Sequence, residues 1–144
     1  MGSSTGGDRS EKGLSMRSTI LVVSADDTGL APTLQLLAGA GYEARGATTF
    51  EDATRLLATT SPDLLIADER LGAFNGLHLV LRGRAEHPTM RAIVATAVKD
   101  PCVEAEASRM NALCFVKPLD PSEWLLPIMR TLEAENIAQL ASTP

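Results

Sequence analysis

Aromatic side chains are scarce in this chain of 144 residues: one Trp, one Tyr and three Phe make up 3% of it. Apolar residues nevertheless reach 44%, so the core must be built from Leu, Val, Ile and Ala. Cysteine is nearly absent as well. Cys102 and Cys114 fit no metal-ligand spacing and imply no disulfide framework, which makes a reduced, cytoplasmic compartment the default. No apolar run approaches the roughly 18 residues that a membrane span needs, and no signal peptide is visible. Positive charge is not in excess either. The formal net charge is −5, and Arg70, Arg82, Arg84 and Arg91 are scattered among acids as on a solvated face. No nucleic-acid surface is expected in such a chain.

What is present is an alternation. Residues 1–17, rich in Gly, Ser and charge, carry no apolar period and read as a disordered tail or linker. From Thr19 onward, short apolar runs alternate with helical patterns. "TILVV" (19–23) is a continuous run, as in a strand buried on both faces. Leu30, Leu34 and Leu37 then fall on one face of a helix that stops at "AGAGY". "YEARGA" (42–47) is a weaker strand. Thr49 is placed to cap a helix with Glu51 and Asp52 in its first turn and Ala53, Leu56 and Leu57 facing inward. "LLIA" (64–67) is a third strand ending at Asp68, and "ERLGAFNG" reads as a loop. A helix with Leu77, Leu81 and neighbouring apolar positions follows. "AIVAT" (92–96) and "LCFV" (113–116) are the last two strands, separated by a short helix near 102–110. Asp120 and Pro121 suit the N-cap and first position of a final helix through Trp124, Leu125, Ile128 and Leu132. Pro127 predicts a bend in that helix.

Five strands alternating with five helices specify a doubly wound α/β domain with a parallel sheet. Sites in such sheets lie at the carboxyl ends of strands. Those ends carry Ser24, Ala25, Asp26 and Asp27, then Asp68, Thr96 and Lys117. The glycines of "GAGYEA" (39–44) mimic a dinucleotide-binding turn, but they follow a helix and precede a strand, so a helix cap is expected instead.

On these residues the chain resembles a response-regulator receiver domain of two-component signalling. The motifs are "PDLLIADERLGAFNGLHL" (62–79), "IVATA" (93–97) and "FVKPLDPSEWL" (115–125), in order and at the family's spacing. The resemblance implies a flavodoxin-like fold with strand order 2-1-3-4-5, a receiver domain over 18–134 and a helical extension or tail over 135–144. It places Asp68 as phosphoacceptor, Gly76 as the helix-opening glycine, and Lys117 and Thr96 as phosphoryl-binding groups. Magnesium would be held by Asp68, by acids at the end of the first strand, and by the backbone carbonyl of Arg70. A histidine kinase or phosphotransfer protein would supply the phosphoryl group. The face of the fourth helix, fifth strand and fifth helix would be a pairing surface, as in a homodimer. The chain is then no conventional enzyme, at most one that phosphorylates itself from a phosphodonor with magnesium.

One departure stands out. At the two positions where the family carries an acidic pair, this sequence has Ser24 and Ala25. Only Asp26, one residue late, is available as a further metal ligand, and magnesium prefers carboxylates and water. Pro32 predicts a late start of the first helix, near Thr28 or Gly29, which would lengthen the loop that carries Asp26. The alternative role for Asp26 and Asp27 is to cap that helix. Two functions follow: a phosphorylatable receiver with weakened magnesium binding, or a pseudo-receiver acting as a phosphorylation-independent interaction module. A flavodoxin-like cofactor protein shares the topology, but the cofactor loops are lacking. His78 and His87 read as surface residues, Trp124 as a core or interface anchor, and Cys114 as a small buried hydrophobe. Phe115 sits near the family's switch aromatic without a hydroxyl.

Overall fold

A computed structural model describes residues 18–117, Glu123 and 125–132. The chain runs β1 (Thr19–Val23), α1 (Asp27–Gly39), β2 (Glu43–Ala47), α2 (Phe50–Thr59), β3 (Leu64–Asp68), β4 (Arg70–Leu71) and β5 (Phe74–Asn75). It continues through α3 (Gly76–Glu86), β6 (Arg91–Thr96), α4 (Pro101–Arg109) and β7 (Leu113–Val116), and closes with helix α5 over 125–132. The main sheet has five strands in the order β2-β1-β3-β6-β7, every neighbouring pair parallel. Counting only these five strands, the order is the expected 2-1-3-4-5.

Each central strand feeds two cores, because successive side chains point to opposite faces. Leu21 and Val23, Leu65 and Ala67, and Ala92 and Val94 pack with Ala53, Leu57, Val80 and Ala107 beneath α2, α3 and α4. Ile20 and Val22, Leu64 and Ile66, and Ile93 and Ala95 pack with Leu30, Leu37, Ile128 and Leu132 beneath α1 and α5. Burial on both faces explains why these strands read as unbroken apolar runs. No described helix is long and apolar enough to cross a membrane.

Local chemistry sets the element ends. The Thr49 hydroxyl accepts from the Asp52 N–H at 3.1 Å and caps α2. Helix α1 closes at Gly41 (φ +100°), where Tyr42 N–H donates to Leu37 O and Gly41 N–H to Ala38 O. That 6→1 and 5→2 pairing is a Schellman cap, so the glycines of 39–44 end a helix and bind no dinucleotide turn.

Several local expectations need correction. Helix α1 begins at Asp27, earlier than Pro32 implied, and the proline lies inside it. The Thr33 hydroxyl donates to the Gly29 carbonyl at 2.9 Å, serving a backbone acceptor in the turn that the proline disturbs. The segment after Asp68 is not an open loop. Arg70–Leu71 and Phe74–Asn75 pair as an antiparallel ribbon across a turn at Gly72 (φ +64°), and Phe74 stacks on Phe50 with ring centroids 4.5 Å apart. In α3 the inward face is Leu77, Leu79 and Val80, whereas Leu81 is 59% exposed. His87 is no bystander: its Nε2 lies 2.8 Å from the Leu57 carbonyl and joins α3 to α2. The bend expected at Pro127 borders residues 121, 122 and 124, outside the described set; beyond it, Thr131 Oγ1 donates to the Pro127 carbonyl at 2.8 Å. The 1–17 tail, the Asp120–Pro121 cap, Trp124 and the extension over 135–144 also lie outside it.

Arg84 departs furthest from the solvated-face pattern. Its guanidinium donates through Nε to Met90 O at 3.0 Å, through Nη1 to Met110 O, and through Nη2 to Asn111 O at 3.1 Å. Burial, and then the charge of Arg91, lower its pKa. Arg84 thus ties α3 to the turns before β6 and β7. Truncation by Arg84→Ala leaves three carbonyls short of a charged donor and is expected to cost about 1–3 kcal/mol in urea unfolding.

Candidate functional site

The strand register builds the site. Val23 pairs with Ala67 in adjacent parallel strands, so the next residues, Ser24 and Asp68, emerge side by side at the carboxyl end of the sheet. Asp68 also pairs with Ala95 on β6, and Thr96 pairs with Val116 on β7, which sets Lys117 on the same rim. The Lys117 N–H donates to the Thr96 carbonyl at 2.7 Å, which prolongs the β6–β7 ladder and fixes the lysine's root.

Behind Asp68 the wall is main chain. The Gly76 N–H donates to the Glu69 carbonyl at 2.7 Å, and a Cβ on Gly76 would strike the Asp68 carbonyl group. Asn75 caps α3 here, its side-chain oxygen accepting from the Leu77 N–H at 2.7 Å. Glycine is required because the start of α3 presses on the end of β3.

In front, both carboxylate oxygens are engaged. Asp68 Oδ1 lies 2.8 Å from Lys117 Nζ. Asp68 Oδ2 accepts from Ser24 Oγ at 2.9 Å and from the Ala25 N–H at 3.1 Å. The Asp68 side chain is only 14% exposed, so these bonds are made largely out of bulk water. Ser24 is itself buried and continues β1 by donating its N–H to the Ala47 carbonyl at 3.0 Å. Its oxygen also accepts from the Asp26 N–H at 3.2 Å. The Asp26 carbonyl lies 3.4 Å from that oxygen, but a hydroxyl has one proton, and the nearer, charged Asp68 is the stronger acceptor.

The other expected site residues lie differently. Thr96 is buried at the end of β6, and its hydroxyl makes a long, 3.5 Å bond to the Phe115 carbonyl. Asp26 is exposed, with Oδ2 3.5 Å from where a Cβ on Gly29 would sit, so its carboxylate stands over the first turn of α1. Negative charge is favoured there. Arg70 belongs to the ribbon, opposite Asn75, with its side chain 88% exposed beside Glu69. Cys114 is half-buried; burial and the carboxylates of Glu104 and Glu69 push its thiol pKa up, against a hydrogen bond from Thr96, so it carries little thiolate character.

Magnesium, the ion implied by resemblance, requires near-octahedral oxygen ligands. The described residues contain no group of three His, Cys, Asp or Glu side chains that could hold a metal ion. Position 24 offers a neutral hydroxyl already donating to Asp68, and position 25 offers an N–H where an acceptor is needed. Among the described residues, the end of β1 thus supplies Asp68 with hydrogen-bond donors and adds no carboxylate beside it. The two neutral donors and one ammonium supply the charge compensation themselves. The structure brings the expected Asp68 and Lys117 together and leaves Thr96 buried at the end of β6, whereas the contact of Ser24 with Asp68 was not expected. A hydroxyl at the position adjoining an acid on the neighbouring strand was the only available signal.

A parallel five-stranded sheet with an acid, a lysine and a hydroxyl on its carboxyl rim defines a receiver-type domain. The family profile of response regulator receiver domains matches residues 20–128, and the chain belongs to this family. The chain is 31% identical over 122 residues to the DNA-binding transcriptional regulator NtrC of Escherichia coli K12, and 29% identical over 119 residues to the alginate regulator AlgB of Pseudomonas aeruginosa. Those matches cover 81% and 82% of this chain but only 25% and 26% of the relatives, so the chain spans about a quarter of their length. Among solved structures, a CheY-like receiver domain from Methanospirillum hungatei superposes with a TM-score of 0.78 at 24% identity, covering 85% of this chain and 98% of that one. A Burkholderia pseudomallei response regulator solved with a phosphorylated aspartic acid and a calcium ion gives a TM-score of 0.72 at 20% identity, covering 88% and 75%.

Proposed function

We propose that this receiver domain serves two-component signalling as an interaction module whose Asp68 is held closed without metal. The observation that carries this reading is the occupancy of Asp68: Ser24, Ala25 and Lys117 engage both oxygens while the acidic pair is missing. A nucleophilic carboxylate and an incoming phosphoryl group are both anionic, and the reaction depends on cations to neutralise the developing charge. Here one lysine stands for that provision. The interaction surface is the face of α4, β7 and α5, where Leu113, Val116, Leu126 and Met129 are all exposed. A groove of about 380 Å³ runs along it between Leu113, Phe115, Leu126 and Pro127. A histidine kinase, a phosphotransfer protein or a second copy would dock there.

A second reading has its own support. Asp68 and Lys117 are paired at 2.8 Å at the carboxyl end of the sheet, the geometry from which Asp68 could take a phosphoryl group from a phosphohistidine. Incubation with a small acyl phosphate, with and without magnesium, separates the two by intact mass. The interaction-module reading expects no magnesium-dependent gain of a phosphoryl group. A gain that disappears in Asp68→Asn would establish the phosphoacceptor instead.

A further inference from the structure

The contacts of Asp68 are unevenly distributed. Two of them, from Ser24 Oγ and the Ala25 N–H, come from the segment joining β1 to α1. The Ser24 oxygen in turn accepts from the Asp26 N–H, one residue before α1 begins at Asp27. A continuous chain of hydrogen bonds therefore runs from the Asp68 carboxylate through one hydroxyl to the start of α1. On the opposite side, the Thr96 hydroxyl is directed to the Phe115 carbonyl. Phe115 has no hydroxyl of its own to relay a bond.

We propose that Ser24 is a positioning residue and latch: it holds the β1–α1 segment closed on the ionised Asp68, so that any event masking this carboxylate is transmitted to the start of α1. The masking event is pairing of the Asp68 carboxylate with a cation that a partner presents. The inference rests on the reading that Asp68 is held without metal, and it names the element that responds. The physical reason is the acceptor. A hydroxyl bonded to a carboxylate is held about twice as strongly as one bonded to a neutral oxygen, so loss of the charge loosens it selectively. Once released, the Ser24 hydroxyl is free to turn to the Asp26 carbonyl at 3.4 Å, and the Asp26 N–H loses a fixed acceptor.

Amide hydrogen exchange resolved by residue tests the latch on the full chain. In Ser24→Ala the amide of Asp26 is expected to exchange about five- to tenfold faster, the loss of one hydrogen bond in a charge-anchored chain. Asp68→Ala should do the same to both Ala25 and Asp26, whereas Ser24→Thr, which keeps a hydroxyl, should restore slow exchange. Amides of β7 serve as an internal reference and should not move in Ser24→Ala. Exchange at Asp26 that stays at the wild-type rate in Ser24→Ala would overturn the latch. If Ser24→Ala does not fold, Asp68→Asn keeps the shape and removes the charge, and unchanged exchange at Ala25 and Asp26 there would overturn it equally. The phosphorylation assay reads mass on the wild type, so failure of the latch and failure of the metal-free reading are separate results.

Discussion

Placing two acids at the end of β1 in Ser24→Asp/Ala25→Asp is expected to raise magnesium affinity well above that of the wild type. In the wild type the oxygens of Asp68 are engaged by Ser24, Ala25 and Lys117. The double variant removes the hydroxyl donor and adds two anionic side chains at the end of β1, beside Asp68. At an effective dielectric of about 20, each added charge a few ångströms from a dication is worth several kcal/mol before desolvation and mutual repulsion are subtracted. We expect a gain in affinity of about 10- to 100-fold or more, read by calorimetric titration or by magnesium protection against thermal unfolding. The variant should also be less stable than wild type without magnesium, because three carboxylates then face one lysine. Equal magnesium affinity in the two proteins would refute this view of the site.

Gly76→Ala is expected to be the most damaging single methyl addition at the site. The new Cβ would strike the Asp68 carbonyl oxygen and lie 2.9 Å from its carbon, and both are backbone atoms that move only with β3 or α3. Overpacking of this kind costs about 3 kcal/mol or more, well beyond the propensity gained by replacing a helical glycine. Gly83→Ala in the same helix makes the comparison informative. Its Cβ would meet Met90 Cε at 2.5 Å, but a methionine terminus can swing aside. That variant should stay within about 1 kcal/mol of wild type, because the helix-propensity gain offsets the shift. Urea unfolding of the pair measures the contrast, and comparable costs would show that β3 yields to the helix.

The fold was legible because both faces of the sheet are covered. Burial of Ile20 through Val23 and of Leu64 through Ala67 leaves runs that hardly resemble helices, and Thr49 by its hydroxyl, Gly41 by its positive φ and Asp68 by its charge mark element ends. What was hidden depends on distant parts of the chain. Arg84 reads as a surface cation until the turns at Met90 and Met110 are brought to it. Leu81 obeys the helical period from Leu77, yet α3 turns Val80 inward instead, because Leu79 and Val80 face the sheet. The site was half legible. Motif and spacing put Asp68 and Lys117 at strand ends, where the structure pairs them, but the engagement of Asp68 by Ser24 requires the register of β1 against β3.

The stack of Phe74 on Phe50 has a mechanical consequence. It moors the ribbon between β3 and α3 to the opening residue of α2, whose start is already pinned by Thr49. One bank of the crevice is therefore fastened to the body of the domain through an aromatic rivet and a helix cap. The other bank, from Ala25 to Asp26, meets Asp68 through the Ser24 hydroxyl and the Ala25 N–H. The two banks are thus fastened by different means, one by aromatic packing and the other by polar contacts to the carboxylate itself.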